Sequence, residues 1–164
     1  PVVEGATLFT YMFFHADIFH LAGNMLFLWV FGDNVEDAVG HAKFLFFYLA
    51  CGVFAGLFHA WMVPDSDLPL IGASGAVAGV IAAYLMLHPR VGVWILAFKF
   101  IPLRISAGLV LGLWIVLQIV MVAVSDASPT ARWAHIGGLL AGAALILVLR
   151  RPGVPLFDKG TRLA

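Results

Sequence analysis

Five apolar stretches, each near the length that a bilayer requires, constrain this chain more than any other feature. A membrane-crossing helix needs about 20 mostly apolar residues. Stretches near 18–32, 43–62, 71–88, 104–124 and 131–149 qualify once slightly short and Gly-rich ones are admitted. With 63% hydrophobic residues, 11% charged and a mean hydropathy of +1.03, a chain of 164 residues carries more apolar surface than one water-soluble core hides. The reading is an all-α, polytopic transmembrane helix bundle, one domain over residues 1–164, with the lipid bilayer as its solvent.

Turn-forming polar residues punctuate the spans: Gly32-Asp33-Asn34, Pro64-Asp65-Ser66-Asp67, His88-Pro89-Arg90 and Ser125-Asp126-Ala127-Ser128-Pro129. Val91 to Phe98 is too short to cross alone and is expected to be an interfacial connection. Lys43, Arg90, Lys99, Arg104, Arg150, Arg151, Lys159 and Arg162 fall on one side of the five spans, and Arg132 falls on the other with Glu4, Asp17, Asp65, Asp67 and Asp126. The positive-inside rule then places the C-terminus in the cytosol, and a bacterial inner membrane is the expected location. The net charge of zero and the lack of basic runs argue against a nucleic-acid partner. Cys51, the single cysteine, has no intrachain partner and reads as a small packing residue. The chain opens Pro-Val-Val-Glu-Gly, without an initiator Met or a basic leader, and reads as part of a longer protein.

Strongly polar side chains inside apolar spans are costly and mark functional candidates. Four stand out: His20, Asn24, Ser74 and His135. His20 and Asn24 are one helical turn apart on one face, where they could donate toward one point or simply bond between helices. Ser74 lies between Gly72 and Gly75 at the start of a span, where free helix N–H groups could meet an oxyanion; Ser among glycines is also ordinary small-residue packing. His135 has Gly137 and Gly138 beside it and could be a base or a hydrogen-bonded packing residue. All four lie near the same end of their spans, so they could share one cavity. Together they supply a nucleophile, a general base and oxyanion donors.

"HADIFHLAGN", "GASGA" and "AHIGGLLAG", together with "GDNVEDAVG" after the first span, resemble the bacterial-type core of the rhomboid intramembrane serine proteases. The resemblance covers about residues 8 to 149. It implies a Ser74–His135 dyad without a catalytic acid, and an oxyanion hole formed by the Ser74 backbone N–H, His20 and Asn24. It implies no metal or cofactor, a structural role for His15, and transmembrane protein substrates cut near the outer ends of their helices. The loop Ser125 to Thr130 would be a cap, and the fourth span, with Trp114 and Gln118, a lateral gate. His135 has to be neutral to accept a proton, and burial favours the neutral ring, so activity is expected to fall on acidification.

Three departures are visible. The family core has six spans and five are counted here, so a first span is expected before residue 1. Ala6 and Thr7 stand where many members carry Trp-Arg. Ala78 stands where an aromatic often stacks on the catalytic His, so His135 is expected to be held by packing or hydrogen bonds from elsewhere. Two alternatives stay open. One is a rhomboid-like pseudoprotease that binds client helices without cutting. The other is a metal-dependent protein using His15, His20 and His135, which lacks a carboxylate or thiolate within the spans and any HExxH.

Overall fold

The computed structural model describes residues 3–97, 101–124 and 130–158. α1 (Val3–Thr10) and a 3₁₀ turn (Tyr11–Phe13) lead into α2 (Ile18–Val39). α3 (His41–Met62), α4 (Ser74–Leu87), a hairpin of β1 (Gly92–Ala97) and β2 (Ile101–Ser106), α5 (Ala107–Val124) and α6 (Thr130–Leu149) follow. α3 is long and apolar enough to cross a membrane, as is α6 over Arg132–Leu149. Gly5–Phe13 and Ile18–Val39 pass that test only as a pair, bent by 90°.

α4 has 14 residues, about 21 Å at 1.5 Å per residue, yet it is the centre of the bundle. Nearly all of its residues, from Gly75 to Tyr84 and Leu87, are buried. A helix that is apolar all round belongs in the interior, and here the other helices cover it. Large apolar side chains point outward instead, among them Phe19, Trp29, Leu45, Phe46, Leu113, Leu117 and Val148. That girdle suits lipid and no aqueous surface. Trp61 near the end of α3 and Trp94 on the hairpin, 74% and 70% exposed, mark the two ends as an aromatic belt does.

Small residues set the contacts around α4. A Cβ placed on Gly138 or Gly142 of α6 would collide with the backbone of Gly75 or Gly79 of α4 respectively. The two contacts share one offset, so α4 and α6 run parallel and nearly backbone to backbone. A Cβ on Gly75 would lie 2.7 Å from the Ala55 Cβ, and one on Gly79 would lie 2.5 Å from the Cys51 Sγ. Those partners descend as α4 ascends, so α3 is antiparallel to it. Cys51 is the fully buried packing residue expected of it.

The segment before α2 is fastened to α3. The Tyr11 hydroxyl donates to the Gly52 carbonyl at 2.7 Å, and buried Met12 fills the notch over Gly52. The stretch holding Ala6 and Thr7 is thus helical and docked through residues just after it. At the opposite end, the chain after α6 closes helix C-termini whose carbonyls lack helical partners. Arg151 N–H donates to Ala38 O at 2.8 Å, and Phe157 and Asp158 N–H donate to Met86 and Leu87 O at 2.6 and 3.0 Å.

Two expected span boundaries are corrected here. Gly32-Asp33-Asn34 does not end a helix; α2 continues to Val39, with Asp33 and Asn34 exposed and Val35, Ala38 and Val39 buried. The stretch expected as an interfacial connection takes the form of a hairpin, in which residues 92–97 pair antiparallel with 101–106, from Gly92↔Ser106 to Ala97↔Ile101. The alternation Val93, Trp94 and Leu103, Arg104, Ile105 favours strand. A two-stranded ribbon also satisfies backbone groups that an eight-residue apolar run cannot satisfy by crossing lipid. Arg104 therefore belongs to β2, and α5 starts at Ala107, where Ala107 and Gly108 N–H donate to the Val91 and Pro89 carbonyls. Of the loop Ser125 to Thr130, expected as a cap, residues 125–129 lie outside the described residues, and Thr130 is the first residue of α6.

Gly72 has a φ of +108°, and a Cβ there would sit 2.7 Å from the His20 ring. Its N–H donates to Tyr11 O at 3.0 Å. Gly72 is thereby the hinge that turns the chain into α4 beneath His20. Gly142→Val is expected to destabilise the detergent-solubilised protein by roughly 1–3 kcal/mol through overpacking against α4, read as a lower midpoint of thermal unfolding; an unchanged midpoint would contradict the backbone contact. Gly72→Ala should also lower that midpoint, by about 1–3 kcal/mol of backbone strain. Gly112→Ala, in open space on α5, should leave it equal or higher.

Candidate active site

Parallel packing of α4 and α6 brings Ser74, the first residue of α4, level with His135, in the second turn of α6. The Ser74 Oγ lies 2.8 Å from His135 Nε2. Ala73 at the N-cap makes no side-chain cap hydrogen bond, so the first N–H groups of α4, unpaired in any helix, are left uncovered by its own cap. α2, α4 and α6 all start at this end, so the positive ends of three helix dipoles converge on it.

His135 is held from the far side by α5. Its Nδ1 is 3.2 Å from Gln118 Oε1, and its ring lies 5.6 Å from that of Trp114, tilted by 41°. Ala78 is fully buried between α4 and α6, where Gly138 approaches it. The aromatic support absent at position 78 thus comes from α5. Gln118 was missed as a partner of His135 in the sequence, although an amide within an apolar span carries the same signal as the four polar residues singled out there.

His20 faces the dyad from α2. Asp17 caps this helix, its Oδ1 accepting the His20 N–H at 2.8 Å. The Ala16 N–H donates to His20 Nδ1 at 3.3 Å. An accepting Nδ1 leaves the ring proton on Nε2, the nitrogen nearest Gly72. His15 packs edge-on against His20 at 5.1 Å. Asn24 is buried, and its Nδ2 donates to the His20 carbonyl at 3.0 Å; an amide group has two N–H donors, so a second remains.

Ser74, His135, His20 and Asn24 line one cavity of about 240 Å³ with Phe19, Phe27, Trp114 and Gln118. A hydroxyl hydrogen-bonded to an imidazole, beside ring, amide and helix N–H donors, is a set of groups able to transfer an acyl group. A larger hollow of about 410 Å³ near Tyr11 and His59 lies away from this constellation. No group of three or more His, Cys, Asp or Glu converges among the described residues.

A rhomboid-domain family profile matches residues 3–152. The chain is 31% identical over 140 residues to "Rhomboid protein 1, mitochondrial" of Saccharomyces cerevisiae, a match covering 79% of this chain and 38% of that protein. It is 28% identical over 154 residues to "Rhomboid-like protein 11, chloroplastic" of Arabidopsis thaliana, covering 87% and 51%. It is 30% identical over 139 residues to "Presenilin-associated rhomboid-like protein, mitochondrial" of Homo sapiens, covering 79% and 34%. The chain thus spans about a third to a half of these relatives. These relatives are named as mitochondrial and chloroplastic proteins, which overturns the expected bacterial inner membrane. With motifs, bundle and profile in agreement over most of its length, this chain belongs to the rhomboid family.

Proposed function

We propose that this chain is an intramembrane serine endopeptidase that cleaves transmembrane helices of other proteins. The observation that carries the reading is the 2.8 Å contact between Ser74 Oγ and His135 Nε2, inside a cavity lined by His20 and Asn24. A serine hydroxyl is a weak nucleophile until a base takes its proton. His135 Nε2 accepts that proton as Oγ bonds to the scissile carbonyl carbon. The oxygen becomes an oxyanion held by the Ser74 N–H, the His20 Nε2–H and the free Asn24 N–H. The C–N bond then breaks, with the proton passing from His135 to the leaving amine. Water attacks the acyl ester, gives its proton to His135, and Ser74 leaves with that proton restored.

The surroundings favour a membrane-embedded substrate. The outer face of α5 exposes Leu113, Val116, Leu117 and Val120, while its inner face supplies Trp114 and Gln118 to the cavity. A substrate helix arriving through lipid on that side meets α5 before the cavity. Its scissile bond has to leave its own helical hydrogen bonds before Ser74 can reach the carbonyl, which Gly or Pro in the substrate makes easier.

Labelling by a fluorophosphonate probe tests this in detergent-solubilised protein. Wild type is expected to label, and Ser74→Ala and His135→Ala to lose labelling while folded. Asn24→Ala should cleave a transmembrane substrate about 10²- to 10³-fold more slowly, the usual cost of one oxyanion donor. Labelling should fall as acidification protonates His135; a rate flat from neutral pH to about 4.5 in folded protein would exclude His135 as the base. A folded wild type that never labels would instead favour a helix-binding pseudoprotease.

A further inference from the structure

α5 carries one strongly polar side chain along its apolar length, Gln118. Gln118 and Trp114, one turn apart, share the face that meets α6, and both touch His135. Arg132 fastens the same pair of helices further along by donating to the Met121 carbonyl at 2.5 Å.

An imidazole has one proton and two nitrogens, and its function depends on which nitrogen carries it. Gln118 Oε1 can only accept, so this orientation of the amide, 3.2 Å from Nδ1, pairs with a proton on Nδ1. Nε2 then presents its lone pair to the Ser74 hydroxyl. The other tautomer would point N–H at Ser74 Oγ and leave nothing to take its proton. A buried carboxylate does this work in Ser-His-Asp triads. An amide does it without adding a charge to an apolar site.

We propose that Gln118 is the positioning residue of the dyad, fixing the productive tautomer and the ring plane of His135, with Trp114 restraining the ring face. The proposal rests on the reading of Ser74 and His135 as nucleophile and base. It adds that the hold comes from α5, a helix whose other face is exposed through Leu113, Val116, Leu117 and Val120. Neither Gln118 nor Trp114 sits on the α4–α6 pair, so a shift of α5 alters the orientation of the base without changing the backbone spacing of Ser74 and His135.

Among the described residues, the groups around His135 are few. Ser74 faces it from α4, His20 from α2 across the cavity, and Gln118 and Trp114 from α5. Among the described residues, the cavity lining includes no Asp, Glu, Lys or Arg, and its titratable side chains are His20 and His135. α3 meets the neighbouring Gly137 through Ala55 and Phe58, neither of which titrates. His20 is common to wild type and to any Gln118 variant, so a difference between their pH profiles reads the bond at Nδ1.

The test measures the rate of fluorophosphonate labelling across about pH 5–9 for wild type, Gln118→Leu and Gln118→Glu, with thermal unfolding as the check of folding. Gln118→Leu keeps the bulk and removes the acceptor, and is expected to label about tenfold or more slowly, as when an outer partner of a functional imidazole is lost. Gln118→Glu keeps an acceptor and adds a charge that stabilises imidazolium, so labelling should persist while its acid limb moves up by about one pH unit or more. Both variants matching wild type in rate and profile would overturn the proposal. So would an equal loss in both with an unmoved pH profile, the pattern of a residue that only packs α5. If Gln118→Leu does not fold, the Gln118→Glu profile decides alone. An unlabelled wild type sinks the dyad reading as well, whereas a labelled wild type with indifferent variants sinks only the role of Gln118.

Discussion

The close approach of α4 to α6 is the constraint on which the rest of the molecule depends. Lipid offers no hydrophobic drive between helices, so association rests on van der Waals contact and short polar links. Gly75 under Gly138 and Gly79 under Gly142 bring two backbones together with no side chain between them. The spacing of these glycines, four apart on each helix, fixes parallel direction and register at once. Ser74 and His135 sit just ahead of that seam, each one to three residues from the first glycine pair. Their 2.8 Å contact is therefore a consequence of packing that lies beside it, and neither side chain has to organise the other.

A second constraint works from the ends of the helices. Each helix terminus leaves backbone groups that need partners, and within a membrane protein the solutions are local and specific. Asp17 closes the start of α2, and in doing so places His20 one turn in. The chain after α6 closes the ends of α2 and α4 through Arg151, Phe157 and Asp158. The start of α4 is treated differently, since Ala73 brings no side-chain cap and Gly72 bends the chain with a positive φ. The helix start that begins with Ser74 is thus left uncovered by its own cap.

Much of this was legible in the sequence, for a physical reason. Polar residues in apolar spans are too costly to be common, so His20, Asn24, Ser74 and His135 were conspicuous, and the cavity holds all four. Gln118 carried the same signal and was read as part of a gate, because nothing in the spacing reveals that the α5 amide points at His135. The hairpin was hidden for another reason: its residues are apolar, and apolar runs distinguish poorly between strand and helix when short. The end of α2 was misplaced because Gly32-Asp33-Asn34 reads as punctuation locally, while Val35, Ala38 and Val39 continue the buried face and override it. Burial decided that boundary, and burial is a property of neighbours.

These observations divide the bundle into two parts with different duties. α4 and α6, joined through glycine backbones with α3 set against α4 through Cys51 and Ala55, form a tightly packed unit that sets the distance between Ser74 and His135. α5 touches that unit through larger side chains: Trp114 and Gln118 at the cavity, Leu111 buried in the core, and Arg132 reaching across to Met121 O. Side-chain contacts yield more readily than backbone seated on backbone, because rotamers can change where glycine contacts leave nothing to rotate. A substrate helix that presses on α5 would thus disturb the orientation of the imidazole before it disturbs the separation of the dyad. On the proposed reading, reactivity is then tied to how α5 is seated. A serine held permanently within reach of its base need not be permanently reactive, because on that reading the proton on Nδ1 is answered by a helix outside the unit that holds the two together.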